Sequence, residues 1–179
     1  MNYNYKDIIL RYLILLTLAF SNLYLFYLIF TPLTVYPVFW ILDLISGSSL
    51  LGNTIVFKGN YIELIPACIA GAAYYLLFIL NLTTPMSLDK RIKSLIFINF
   101  TFLLLNIARI ILFAVLLISG YQYFNFAHTL VWYFGSTVLV VIVWFVNVKF
   151  FNISSIPVYT DLANLYKLRI KKTKRKNTK

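Results

Sequence analysis

Apolar positions in this chain run together instead of alternating with polar ones. Residues 8–30 are apolar apart from Arg11 and the pair Ser21-Asn22. Residues 66–82, 94–118 and 127–150 form three further blocks with only scattered polar members. About 20 apolar residues suffice to cross a bilayer as helix, so each block predicts a spanning helix. Pro32 is expected to end the first, since proline removes a helical N–H and clashes with the preceding turn. Residues 33–46 are apolar but short, and they carry Pro37, Trp40 and Asp43. A stretch of that length favours an interfacial or re-entrant helix, with a fifth span as the alternative. Residues 47–65 are the polar interruption. Residues 53–57 and 61–65 alternate weakly around Lys58-Gly59-Asn60, the pattern of a small hairpin. A lone hairpin is marginal in water, so it must pack on the bundle.

The expected fold class is therefore all-α: a polytopic membrane helix bundle with four full spans plus a short interfacial or re-entrant helix. Composition agrees. Of 179 residues 61% are hydrophobic and 12% charged, with mean hydropathy +0.85, whereas soluble domains carry about 25% charged residues. The length allows one bundle, residues 1–150, followed by a basic tail, residues 151–179. The first apolar run is too long for a cleavable signal peptide and lacks a small-residue cleavage site.

The net charge of +11 is uneven. Lys149, Lys167, Arg169, Lys171, Lys172, Lys174, Arg175, Lys176 and Lys179 crowd the end of the chain, and Lys90, Arg91 and Lys93 sit in a loop expected at 83–93. Beside a membrane span such a tail reads as a cytoplasmic anchor on anionic lipid, not as a nucleic-acid contact. The positive-inside bias puts that loop, the tail and the N-terminus in the cytoplasm. The protein is thus expected in the cell membrane as a multi-pass chain. The starts of the second and fourth spans then face the extracytoplasmic side.

That topology gathers three residues toward the outer leaflet. Cys68, the single cysteine, follows Pro66 by two residues. Proline is well placed at a first helical position, so Cys68 is expected in a first turn, where free N–H groups and the helix dipole favour a thiolate. Arg109 interrupts the apolar run LLLNIARIILFAVLLI, with Asn99 and Asn106 near the same helical face. An arginine near the centre of a span costs about 2.5–3.5 kcal/mol on insertion scales and usually faces the bundle. His128, the single histidine, follows Asn125 by three residues. Asparagine is a favoured N-cap, so His128 is also expected in a first turn, which disfavours the imidazolium. Nucleophile, base and oxyanion stabiliser fit these three side chains. The blander reading of each is a packed cysteine, a snorkelling arginine and an interfacial histidine. One cysteine excludes an internal disulfide and a Cys-rich metal site, and no cofactor is expected.

The ordered set PACIAGAAYYLL, LNIARI and FAHTL resembles the exosortase/archaeosortase family of membrane cysteine transpeptidases over residues 64–134. Many bacterial members read Cys-Ser-Gly at the nucleophile; Cys68-Ile69-Ala70-Gly71 is more similar to the small archaeal branch. The resemblance implies Cys68 as nucleophile, with Arg109 and His128 as the other catalytic members. It implies secreted or surface proteins as substrates, each bearing a C-terminal signal of short motif, transmembrane helix and basic cluster. Cleavage would occur outside the membrane, with transfer of the new C-terminus to a lipid or other acceptor. Two other readings stand beside it: a non-catalytic membrane scaffold, and a lipid-binding or transport protein that holds an anionic headgroup on Arg109.

Overall fold

The computed structural model describes residues 5–20, 23–162 and 166. It is mostly helical. Helix α1 (Tyr5–Phe20) and helix α2 (Tyr24–Ser46) lead into three short strands, β1 (Ser48–Leu51), β2 (Thr54–Phe57) and β3 (Asn60–Glu63). A single turn, α3 (Pro66–Ile69), precedes α4 (Gly71–Leu82) and the long α5 (Leu88–Ile118). The last helix is continuous over Phe124–Phe150. It comprises α6 (Phe124–Leu130), a π turn (Val131–Gly135) and α7 (Ser136–Phe150).

Three of these helices are long and apolar enough to cross a membrane: Tyr24–Ser46, Leu88–Ile118 and Phe124–Phe150. Ile8–Phe20 and Pro66–Leu82 are shorter apolar helices. The first block is therefore divided differently from expectation. It breaks near Leu23, which is left-handed at φ 60°, and α2 runs straight through Pro32 and Pro37. Residues 33–46 are the second half of that helix, not a separate interfacial or re-entrant one. In an apolar environment a chain that stopped at Pro32 would expose several unpaired peptide groups, whereas a proline inside a helix leaves only one without its donor. Asp43 consequently lies inside a long helix. It stands near the end of α2, where its carboxylate accepts the Ser48 N–H at 2.7 Å.

The polar interruption is a three-stranded antiparallel sheet in the order β1-β2-β3, so all-α understates the fold by one small sheet. Gly52 (φ 62°) opens the first turn as in a type II′ hairpin. Lys58 and Gly59, at φ 48° and 77°, supply the two left-handed residues of a type I′ turn for the second. Alternation buries Ile55 and Phe57 on one face, and both join the core formed by Val38, Leu42 and Leu64. This is the packing that so small a sheet requires.

Aromatic rings fasten the middle of the bundle. Phe30 of α2 stacks on Tyr74 of α4 at 3.5 Å between centroids, and Tyr74 meets Phe102 of α5 edge-on at 4.8 Å. Nearer the other end, Phe26 meets Phe78 edge-on at 5.2 Å. Gly71 opens α4 directly against α2, since a Cβ there would lie 2.8 Å from the Tyr27 ring.

The end away from the sheet is held by polar contacts. Asn81 donates to Ser94 Oγ at 2.7 Å, and Ser94 donates to Asn147 Oδ1 at 2.9 Å, linking α4, α5 and α7. Buried Arg91 reaches back from the first turn of α5 to the carbonyls of Asn81 (2.6 Å) and Thr84 (3.0 Å). Arg11 donates to the Leu82 carbonyl at 2.8 Å and to both Asp161 oxygens at 3.0 Å. Helix α5 starts earlier than expected, so the connecting loop is residues 83–87. Among the expected tail lysines and arginines, only Lys149 falls within the described residues, in the last turn of α7; those from Lys167 onward lie outside them.

Hydrogen bonds to charged groups are worth about 1.5–3 kcal/mol, and an orphaned buried carbonyl adds its own penalty. Arg91→Ala should therefore lower unfolding stability in detergent by about 2 kcal/mol or more. Arg91→Lys should recover only part of this, because a point charge cannot bridge two carbonyls as a fork does. A neutral alanine variant would contradict this account of the loop.

Candidate active site

At the sheet end lies a cavity of about 210 Å³. Its walls come from the end of β3, from α3, from one face of α5 and from α6. Cys68, Arg109 and His128 all line it. The three residues singled out from sequence are thus brought together around one space, from three separate elements.

Cys68 sits on the third residue of α3. Pro66 does occupy the first position of that turn, but the turn is not the start of a long helix. Ala70 adopts φ 60°, ψ 41° and separates α3 from α4. The Cys68 N–H is not free either, since it donates to the Ile65 carbonyl at 2.8 Å. One turn carries too few aligned peptides for a full macrodipole, so the expected dipole effect on the sulfur has little source here. What holds Cys68 is its own carbonyl, which accepts Asn106 Nδ2 at 2.9 Å and Arg109 Nη2 at 3.5 Å. Two α5 side chains three residues apart thus grip the peptide group that follows the thiol. Cys68 is in no disulfide and is half-buried.

The Arg109 guanidinium turns into the bundle instead of snorkelling to an interface. Its Nη1 donates to Ser136 Oγ at 2.8 Å. Arginine has five donors in a planar fork, so two bonds leave others for a bound group. Residues Arg109, Ile110, Phe113 and Leu117 share the cavity-facing side of α5, with Phe113 three residues after Ile110 and four after Arg109, and Leu117 one turn beyond Phe113. Asn99 does not contribute: its Nδ2 turns back to the Leu95 carbonyl one turn earlier at 2.7 Å.

His128 lies farther into its helix than expected. The N-cap is Tyr123, not Asn125, so Asn125 is a helical residue and His128 belongs to the second turn. The field of a helix N-terminus falls off within the first turn, so little of it reaches the His128 ring. The ring is fixed by aromatic packing. It stacks on Phe124 at 5.4 Å and meets Phe113 edge-on at 5.3 Å.

Ser136 was not singled out from sequence. It follows His128 by eight residues, slightly more than two α-turns. The π turn at Val131–Gly135 takes up about one extra residue and brings Ser136 back under the cavity-facing stripe. Gly135 fits the same spot, because a Cβ there would strike Val131 Cγ1 at 2.5 Å and lie 3.9 Å from Arg109 Nη1. Residue type alone does not mark Ser136 in the sequence, since its place under Arg109 depends on the π turn. Among the described residues, no three His, Cys, Asp or Glu side chains come together to hold a metal ion.

A left-handed alanine costs about 1–2 kcal/mol, a strain stored two residues from the thiol. Ala70→Gly should relieve it and leave stability unchanged or slightly higher. Ala70→Val should cost about 2 kcal/mol, since a β-branched residue is excluded from positive φ. Thermal midpoints of the two variants check this; equal destabilisation by both would contradict the αL hinge.

Comparison with family models, with curated proteins and with solved structures finds no match for this chain.

Proposed function

We propose that the chain is a membrane-embedded cysteine transpeptidase or protease of the exosortase/archaeosortase type, acting on C-terminal sorting signals of secreted proteins. One observation carries the reading: a half-buried thiol, a guanidinium anchored by Ser136 and an imidazole line the same cavity. The order of the motifs around Cys68, Arg109 and His128 supports it independently.

In this reading the Cys68 sulfur attacks the scissile carbonyl carbon after its proton passes to His128. The carbonyl oxygen becomes an oxyanion, held by Arg109 donors that Ser136 and the Cys68 carbonyl leave unused. The tetrahedral carbon collapses, the C–N bond breaks, and His128 returns the proton to the departing amine. A thioester remains on Cys68. A hydroxyl or amine of a lipid or other membrane acceptor then displaces the thiol, or water does so and the outcome is hydrolysis.

The charge distribution supports the orientation. Lys90, Arg91, Lys93 and Lys149 belong to the end opposite the cavity, and basic residues favour the cytoplasm. The cavity then opens toward the extracytoplasmic side, with α1 and α2 together, α3 and α4 together, α5, and α6 with α7 making four crossings. Anionic lipid would meet the basic tail. A scaffold role fits less well, because a cysteine kept only for packing has no reason to line a cavity beside an intramembrane cation.

The test is conversion of a tagged substrate bearing motif, helix and basic cluster, with enzyme abundance followed in parallel. Cys68→Ser should accumulate normally and convert nothing. Arg109→Lys should lose about 10²–10³ in rate, because it keeps the charge but not the fork. Conversion by the serine variant at the wild-type rate would exclude the nucleophile.

A further inference from the structure

The sheet ends where the site begins, and its two edges differ. Along β1 the first ladder donor is occupied, since the Ser48 N–H donates to Asp43. The Ser48 hydroxyl also reaches the Phe39 carbonyl at 3.5 Å, which ties this edge to α2. Among the described residues no such cover lies on β3. The register Phe57↔Asn60, Ile55↔Ile62 and Thr54↔Glu63, with the Leu64 N–H donating to the Asn53 carbonyl at 3.0 Å, fixes which peptide groups face β2. They are those of Asn60, Ile62 and Leu64. In an antiparallel pair the intervening residues direct theirs away. The N–H groups of Tyr61, Glu63 and Ile65, and the carbonyls of Tyr61 and Glu63, therefore point off the open edge. Among the described residues none of them has a backbone partner outside the sheet. Ile65 is extended at φ −71°, ψ 164°, and its carbonyl is already used by the Cys68 and Ile69 N–H groups. The open edge thus stops three residues before the thiol.

The cavity lies beside this edge. Ile62, Glu63, Leu64 and Ile65 line it together with Cys68, while Phe113 and Leu117 of α5 face them. An unpaired strand edge bordering an apolar slot is a template for an extended peptide. Main-chain bonds supply affinity there, and alternate side chains enter the slot.

We propose that the protein substrate is recognised by strand addition: its extended segment pairs with the open edge of β3 as a fourth strand, which delivers the next peptide bond to Cys68. This deepens the transpeptidase reading and rests on it for the identity of the guest. The occupant is a polypeptide rather than a lipid chain, because a row of peptide donors and acceptors two residues apart matches another backbone and nothing in an acyl tail. The guest runs parallel to β3. Both chains descend toward the bundle, β3 into α3 and α4, the substrate into its own membrane helix.

Cys68, as the single cysteine, allows a direct test on the wild-type full chain in nanodiscs. The probe is an N-acetyl hexapeptide of alternating valine and threonine, ending in a cysteamine mixed disulfide. Its capture on Cys68 is measured by intact mass at fixed 2-mercaptoethanol, against cystamine alone. Two isomers carry N-methyl groups on alternate residues, one set odd and one set even. In a ladder only every second guest N–H donates to β3. One isomer should therefore be captured at least tenfold less well than the parent peptide, and the other within about twofold. Equal capture of the two isomers would overturn strand addition, whether both match the parent or both fail. So would a parent peptide captured no better than cystamine. A Cys68 inert even to cystamine would overturn both this proposal and the catalytic reading. Equal isomers on an enzyme that still converts substrate would sink strand addition alone.

Discussion

A guanidinium inside an apolar bundle must be held on its donors, and most of the site follows from how Arg109 meets that demand. Hydrocarbon offers it nothing, so each partner must come from the protein. One is the Ser136 hydroxyl and another the Cys68 carbonyl. To put the hydroxyl in reach, the last helix carries a π turn and a glycine where a side chain would collide. To put the carbonyl in reach, the chain after Pro66 makes a single turn and is interrupted at the left-handed Ala70 before α4 begins. The cation thus ties together the thiol-bearing turn, α5 and α7, and the cavity lies beside that knot, between β3, α3, α5 and the stretch from α6 into the π turn.

The same demand accounts for a second set of polar contacts in the core. Asn81, Ser94 and Asn147 bond to one another, and Arg91 closes the carbonyls at the end of α4. These groups lie at the end opposite the cavity and hold fixed the helices that carry it. The sheet does the complementary task at the cavity end. Its buried face, Ile55 and Phe57, joins the bundle core, while its last strand runs down to the thiol.

Much of this was legible in the sequence, because the strongest signals were of the kind hydrocarbon enforces. Apolar blocks beyond the reach of a soluble core gave helices, and lone Cys68, Arg109 and His128 stood out against them. What was misread depended on local geometry that residue type does not dictate. Pro32 is a terminator where water can receive the freed carbonyl, but inside an apolar block the helix continues through it. Asn125 is a good cap in isolation, yet the helix begins one residue before it at Phe124. The break at Ala70 carries no glycine at the left-handed position, only one just after it, so nothing marked it. Ser136 was hidden because its spacing from His128 fits the stripe only with the π turn. The first strand escaped because Ser48–Leu51 reads Ser-Ser-Leu-Leu, with no alternation of polar and apolar residues.

The central claim is that Cys68 becomes covalently attached to the substrate's carbonyl carbon. It is tested most directly by acid-quenching the full-length enzyme during turnover of a tagged substrate and weighing the peptide that contains Cys68. The account predicts a mass increase equal to the N-terminal substrate fragment less one water, lost on treatment with hydroxylamine, which cleaves thioesters. Substrate conversion with Cys68 unmodified at every quench time, and no conversion lost in Cys68→Ser, would contradict it.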